Sequence, residues 1–155
     1  MIELAKFIWK KEQVPQDLEV KQVYAIAFAE DGNILLRIED NKYKLTGGKP
    51  EKEDTSFEET VKREYFEELN VEIDDIHYLG YLLVKDNNEE YAQVRMIAKV
   101  KNIGESRPDT DTGKTYKRFI CDIHDVKQYL HYPDEAGNQM LDDAIKLAKE
   151  KYNLN

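Results

Sequence analysis

GGKPEKEDTSFEETVKREYFEELNV, residues Gly47–Val71, runs from a pair of glycines through a polar turn into a helix. Thr55 or Ser56 supplies the helix N-cap, and Asn70 stops it after Leu69, because Asn tolerates the left-handed C′ position next best after glycine. On that helix residues three and four apart share a face, so Glu64, Glu67 and Glu68 converge. Like charges at this spacing destabilise a helix by roughly a few tenths of a kcal/mol per pair, so a compensating charge is expected. A divalent cation with a preference for hard oxygen ligands, Mg²⁺ above all, meets that need.

At about 100° per residue, Val61, Tyr65 and Leu69 form one apolar stripe on the 56–69 helix. Glu64 and Glu68 border that stripe, with Phe57 close by; Glu67 lies a little further round, and Glu58 and Glu59 point elsewhere. The key carboxylates therefore belong at the edge between core and cleft. Partly desolvated carboxylates that repel one another resist ionising unless a cation holds them. A Glu-rich helix can also be no more than a solvated face. The glycines, Arg63 and the border position count against that plainer reading.

Upstream, Val23–Ala29 and Ile34–Ile38 flank Glu30-Asp31-Gly32, a strong hairpin signal, and Tyr43–Leu45 is a short strand leading to the glycines. Downstream, strands are expected at Ile76–Val84 and Tyr91–Val100, joined through Asp86-Asn87-Asn88. The second alternates, with Ala92, Val94, Met96, Ala98 and Val100 on one face and Tyr91, Gln93, Arg95 and Ile97 on the other. A polar loop, Gly104–Gly113, precedes a strand at Tyr116–Asp122. A short helix near Asp125–Tyr129 and a longer one from about Gln139 to Tyr152 follow, the latter with a stripe of Leu141, Ala144, Ile145, Ala148 and Tyr152. This order predicts an α/β (α+β) fold, a mixed β-sheet sandwiched between α-helices.

The 155 residues suit one domain, residues 1–155, with no repeat or linker to divide them. With 41% hydrophobic residues and ten tyrosines, the composition is that of a folded chain. The net charge of −9 disfavours nucleic acid and anionic membrane surfaces as partners. A phosphate compound would have to be received through metal ions and a few local cations. Cys121 is the sole cysteine, set in an apolar run, which excludes an intrachain disulfide and reads as an inert buried thiol. The N-terminal stretch, with Glu3 and alternating charges, does not read as a signal peptide, and no apolar run approaches a membrane span, so the cytoplasm is the expected setting.

The same stretch resembles the Nudix box, G-x5-E-x7-R-E-U-x-E-E-x-G-U with U aliphatic. The match begins at Gly48, and Leu45-Thr46-Gly47 is similar to the Leu-Pro-Gly that usually enters the box. Asp54 takes the place of the first Glu, Arg63-Glu64 of the R-E pair, Glu67-Glu68 of the E-E pair, and Val71 of the last apolar position. Asp54 is shorter than Glu and stands one residue further from the arginine, Tyr65 replaces an aliphatic residue, and Asn70 replaces glycine. The resemblance implies the Nudix fold and hydrolysis of a diphosphate linkage, usually in a nucleoside diphosphate joined to another group. It implies Mg²⁺ or Mn²⁺ held by Glu64, Glu67, Glu68 and the Gly48 carbonyl, with Glu64 or Glu68 as proton acceptor and Arg63 orienting the carboxylates. An additional carboxylate in the family commonly comes from the later loop, where Asp109 or Asp111 is placed to supply it. Homodimers are common in the family.

Arg37 and Arg95 lie on strands, where each either enters the cleft to meet substrate or faces solvent. The histidines His77, His124 and His131 show no ligand spacing and read as structural. Two rivals to the hydrolase stand: a Nudix-fold module that senses a nucleotide without cleaving it, and a partner-binding domain with an acidic surface helix. The first would be expected to lose carboxylates from the box, and this chain keeps them.

Overall fold

The computed structural model describes residues 4–154; Glu3 and both ends of the 1–155 span lie outside them. In chain order the elements are β1 (Lys6–Lys10), β2 (Val20–Phe28), β3 (Ile34–Glu39), β4 (Lys42–Lys44), β5 (Thr46–Gly48), α1 (Phe57–Leu69), β6 (Val71–Asp86), β7 (Glu89–Ile103), β8 (Lys117–Cys121), α2 (Val126–Leu130) and α3 (Glu135–Tyr152). The strands run in the order β1-β6-β7-β2-β3-β4, with β5 added to β2 and β8 to β3. β2 and β7 pair in parallel and the other strand pairs are antiparallel, so the sheet is mixed.

The edge of β2 forks. Val23–Ala25 pair with β5, and Ala27–Phe28 with β3. Gly47 faces Tyr24 across this ladder, and a Cβ there would strike the Val23 carbonyl oxygen and the Tyr24 Cα. Glycine is therefore what lets β5 approach β2 and carry Gly48 beside α1.

Two cores lie on opposite faces of the sheet. Val61, Tyr65 and Leu69 of α1 pack with Val23, Ala25, Ala92, Val94, Met96 and Ala98. On the other face Met140, Leu141, Ala144 and Ala148 of α3 pack with Ile26, Phe28, Ile34 and Ile97. The alternation read along β7 thus feeds both cores, at about 1.5–3 kcal/mol for each large side chain fully buried. Tyr65 stands where an aliphatic residue was expected; its ring fills the first core and its hydroxyl donates to the Ala25 carbonyl at 2.8 Å.

Several boundaries differ from the sequence reading: β2 starts at Val20 and not Val23, the glycines expected to follow a strand form one of their own in β5, and β7 spans Glu89–Ile103 and not Tyr91–Val100. β1 was not anticipated, because Lys6–Lys10 carries no clear alternation and is a strand through its pairing with Tyr81–Lys85 of β6. β6 starts at Val71, five residues before the expected Ile76: Asp75 takes φ 48° in an irregularity of the ladder, so Asp74-Asp75 interrupts the strand without ending it. α3 starts at Glu135, because Asp134 caps it and Gly137 is needed inside it, where a Cβ would strike the Tyr132 ring. Among the described residues no helix is long and apolar enough to cross a membrane.

Candidate active site

α1 is held at both ends by side chains. Ser56 is the N-cap, its Oγ accepting from the Glu59 backbone N–H at 3.2 Å, while Glu59 Oε2 accepts from the Thr55 N–H at 2.8 Å. Asn70 closes the helix at φ 53°, the left-handed conformation expected of it. The last turn carries Glu67 and Glu68, the wrong sign for that end of the helix dipole, and has no basic residue of its own. Arg107 and Arg118 supply the charge from outside, donating to the Phe66 carbonyl at 2.9 Å and the Leu69 carbonyl at 2.8 Å. The Asn70 amide also donates to the Glu105 carbonyl at 3.0 Å, which ties the 104–114 loop to the end of the helix.

The shortened acid at position 54 still reaches Arg63. Arg63 Nε donates to Asp54 Oδ1 at 3.2 Å and Nη2 to Oδ2 at 2.8 Å, a two-pronged pair. Glu51 N–H and the Thr60 hydroxyl donate to the same carboxylate at 2.8 and 2.9 Å, and the Asp54 N–H closes a turn on the Glu51 carbonyl at 3.0 Å. The Arg63 guanidinium holds Asp54 well below the usual carboxylate range. The other edge of Arg63 meets Glu64 Oε1 at 2.9 Å and Glu67 Oε2 at 3.4 Å. Arg63 therefore links Asp54 to two of the three helix carboxylates.

Burial follows the helical wheel. The side chains of Glu64 and Glu68 are 14% and 13% exposed, against 27% for Glu67. Burial pushes the Glu68 carboxyl up to about 8, opposed by Arg37 and assisted by the charges of Glu64, Asp109 and Glu39. Glu64 and Glu67 are also raised, again by burial first and with Arg63 opposing. Gly48 lies directly against Glu64: a Cβ there would sit 2.6 Å from Oε1.

The two loop aspartates separate. Asp109 is buried, and its charge acts on Glu64 and Glu68; Asp111 is exposed and acts on Glu67. The Asp111 N–H donates to Asp109 Oδ1 at 3.0 Å, so Asp111 contributes its backbone to holding Asp109. Arg37, on β3, reaches Glu68 Oε2 at 3.8 Å and Glu39 Oε1 at 3.5 Å. Arg37 and Arg95 both line a cleft of about 650 Å³ that includes Tyr129–Tyr132 at the end of α2, and both side chains are largely buried, so neither faces open solvent. Tyr24, Gln93, Lys42, Lys44 and Tyr132 line it too. These were not read from the sequence, because the cleft is assembled from β2, β4, β7 and the turn after α2, which are distant along the chain. His131, read as structural, ends α2 in a left-handed conformation and stands at the same cleft.

The donor types are those a hard divalent cation prefers, although the three glutamates do not close into a ligand set here. Glu68 Oε2 is buried with no hydrogen-bond partner, and the protonation of all three glutamates is favoured by burial, which a cation would reverse. Gly48 leaves the space that the Glu64 carboxylate occupies. Among the described residues no three His, Cys, Asp or Glu side chains are gathered closely enough to hold an ion. Arg63 draws Glu64 and Glu67 toward itself, and Arg37 lies beside Glu68, so the like charges are kept apart by arginines.

The NUDIX domain family model matches residues 19–141, and the chain belongs to the Nudix family. Solved structures with the same fold include the Bacillus subtilis pyrophosphohydrolase BsRppH, at 20% identity over 91% of this chain and 90% of that one, with a TM-score of 0.70. MutT, from a study of the Aliivibrio salmonicida and Vibrio cholerae proteins, is 18% identical over 82% and 96%, with a TM-score of 0.59. The Caenorhabditis elegans Ap4A hydrolase is 15% identical over 84% and 98%, with a TM-score of 0.56. No curated protein matches the chain in sequence.

Proposed function

We propose that this Nudix protein is a divalent-metal-dependent hydrolase that cleaves the diphosphate linkage of a nucleoside diphosphate joined to another group. Nucleoside triphosphates, nucleotide sugars and ADP-ribose are of that type. The observation that carries the reading is Glu68: a carboxylate 13% exposed, one oxygen buried without a hydrogen bond and only 3.8 Å from Arg37, bordered by Glu64 and Asp109. The pyrophosphohydrolase and Ap4A hydrolase activities named for two structural neighbours support the reaction class.

Glu64, Glu67 and Glu68, with the Gly48 carbonyl, would hold Mg²⁺ or Mn²⁺, and Asp109, buried where Asp111 is exposed, would be the loop carboxylate that joins them. A bound ion neutralises the charge that protects a diphosphate from attack and acidifies a coordinated water. The chain's own residues do the rest. Arg63, fixed on one edge by Asp54, positions Glu64 and Glu67 and leaves the substrate to others. Glu64 or Glu68 accepts the proton of the attacking water. Arg37, between Glu68 and the cleft, meets the phosphate oxygens as the substrate arrives.

Residues 1–155 are taken as one domain in a cytoplasmic setting, with a small nucleotide or other diphosphate compound as partner, no membrane, and nucleic acid disfavoured by the net charge of −9. A homodimer is checked by light scattering. The decisive experiment is a panel of diphosphate compounds with Mg²⁺ or Mn²⁺, read by phosphate or pyrophosphate release, for wild type and Glu67→Gln/Glu68→Gln. Turnover by the wild type and its loss in the double variant is expected. Binding of a panel member without turnover would replace the hydrolase with a nucleotide sensor.

A further inference from the structure

We propose that the cleft around Arg95 is a subsite for a second anionic group, phosphate in kind, carried on the ligand away from the diphosphate that meets α1. The inference deepens the hydrolase reading, and rests on it in calling that ligand a substrate.

Arg95 projects from β7 beneath the cleft and is 5% exposed. A guanidinium stays charged in proteins, so this is a desolvated cation, and a buried charge needs a partner. Among the described residues it has no carboxylate within ion-pair range. Its hydrogen bonds to the Val94 carbonyl and Gln93 Oε1 are both 3.5 Å long, and its Nε is buried with no partner. Burial acts first against its charge, and the groups that support it are the neutral hydroxyl of Tyr132, as a hydrogen-bond partner, and Tyr24; no α1 carboxylate is among them, so Arg95 lies apart from the acidic site.

The surroundings share this sign. Arg37, Lys42, Lys44 and Arg95 line the cleft, and no aspartate or glutamate does, in a chain of net charge −9. Glu39 neutralises part of this, pairing with Arg37 at 3.5 Å and Lys44 at 3.0 Å; Lys42 has no such partner among the described residues. A nucleobase would need an open aromatic face. Arg95 itself covers Tyr24 at 4.7 Å, and Tyr43 and Tyr129 are packed against each other at 4.7 Å and against Phe119 at 5.3 and 5.0 Å. What the cleft offers is a guanidinium fork, which suits a phosphate oxygen pair. About 650 Å³ is more than a free phosphate fills, so the anion arrives on an organic group.

The test uses metal-free protein in EDTA, where the α1 carboxylates repel phosphate and the cleft is left to receive it. Adenosine, AMP and adenosine 3′,5′-bisphosphate are titrated calorimetrically. The bisphosphate should bind about tenfold or more tightly than adenosine, with AMP between them. Arg95→Met should bring the three within about threefold, while the protein melts no lower than wild type because an unpaired buried charge has been removed. Arg95→Lys, which keeps the charge and loses the fork, should retain part of the preference. Should Arg95→Met fail to fold, Lys42→Gln must alone weaken the bisphosphate at least about threefold. Equal affinities for the three probes in wild type, a preference that survives Arg95→Met, or discrimination between adenosine and guanosine larger than that between adenosine and AMP would each overturn the proposal. Glu67→Gln should keep the phosphate preference, so failure of the hydrolase reading and failure of this one give different results.

Discussion

Gly48→Ala probes the contact on which the metal reading depends. The new methyl would stand 2.6 Å from Glu64 Oε1, 2.7 Å from its Cδ and 3.0 Å from Oε2. To regain ordinary contact the carboxylate must retreat by about 1 Å. It sits at the end of a flexible side chain, so the backbone can stay in place. The retreat sacrifices the 2.9 Å bond from Arg63, a charge-assisted bond worth about 1.5–3 kcal/mol. Replacing glycine returns about 0.4–1 kcal/mol through the unfolded chain. The net loss is about 1–2 kcal/mol, or roughly 2–8 °C in Tm for a chain of this size. A displacement of 1 Å at a reacting centre, in contrast, lowers turnover by about 10². Gly47→Ala is the control: its Cβ meets the backbone of Val23 and Tyr24, which cannot swing aside, and it should lose about 3 kcal/mol or more. Thermal melts, Mn²⁺ titration by electron paramagnetic resonance and kcat/KM on the best panel substrate measure all of this. If Gly48→Ala keeps wild-type Mn²⁺ affinity and turnover within threefold, Glu64 is not a ligand at the Gly48 wall.

Other expectations concern the carboxylates one at a time. Glu68→Gln keeps the shape of a carboxyl that burial already pushes up to about 8 and removes its ion pair with Arg37, so the metal-free protein should stay within about 1 kcal/mol of wild type, and the rise in Tm given by MgCl₂ should shrink or vanish. The pairing of Asp54 with Arg63 lowers its folded pKa, so its contribution is full above the unfolded value of about 3.9 and fades as pH falls below it. The difference in urea midpoint between wild type and Asp54→Asn should accordingly be steady from pH 8 to 5 and narrow toward pH 3. Asp109→Asn should weaken Mn²⁺ binding about tenfold, and Asp111→Asn, an exposed change that leaves the backbone N–H in place, should leave it within twofold.

What could be read from the chain alone follows the range of the forces involved. α1 was legible almost to the residue because its signals are local: Thr55 or Ser56 as cap, of which the structure uses Ser56, Asn70 as stop, and a stripe of Val61, Tyr65 and Leu69 that the core indeed buries. The border position of Glu64 and Glu68 came from the same periodicity. β1 was not legible, since its five residues are a strand only because Phe7–Lys10 face Tyr81–Val84. The cleft was half visible: Arg37 and Arg95 were candidates, but which face each would take depended on how β2 forks. Asp109 and Asp111 differ by two places in one loop, and only folding buries the first and exposes the second.

The Asn70 amide bears on how this chain could be engineered. Reverting position 70 to the family's glycine would look like a repair, since glycine is the better residue at a left-handed helix end. Here the side chain also bonds Glu105, and it lies where Gly104 has no Cβ to obstruct it. The two positions form a complementary pair, so consensus substitution at one would uncouple the loop bearing Asp109 from the helix that it serves.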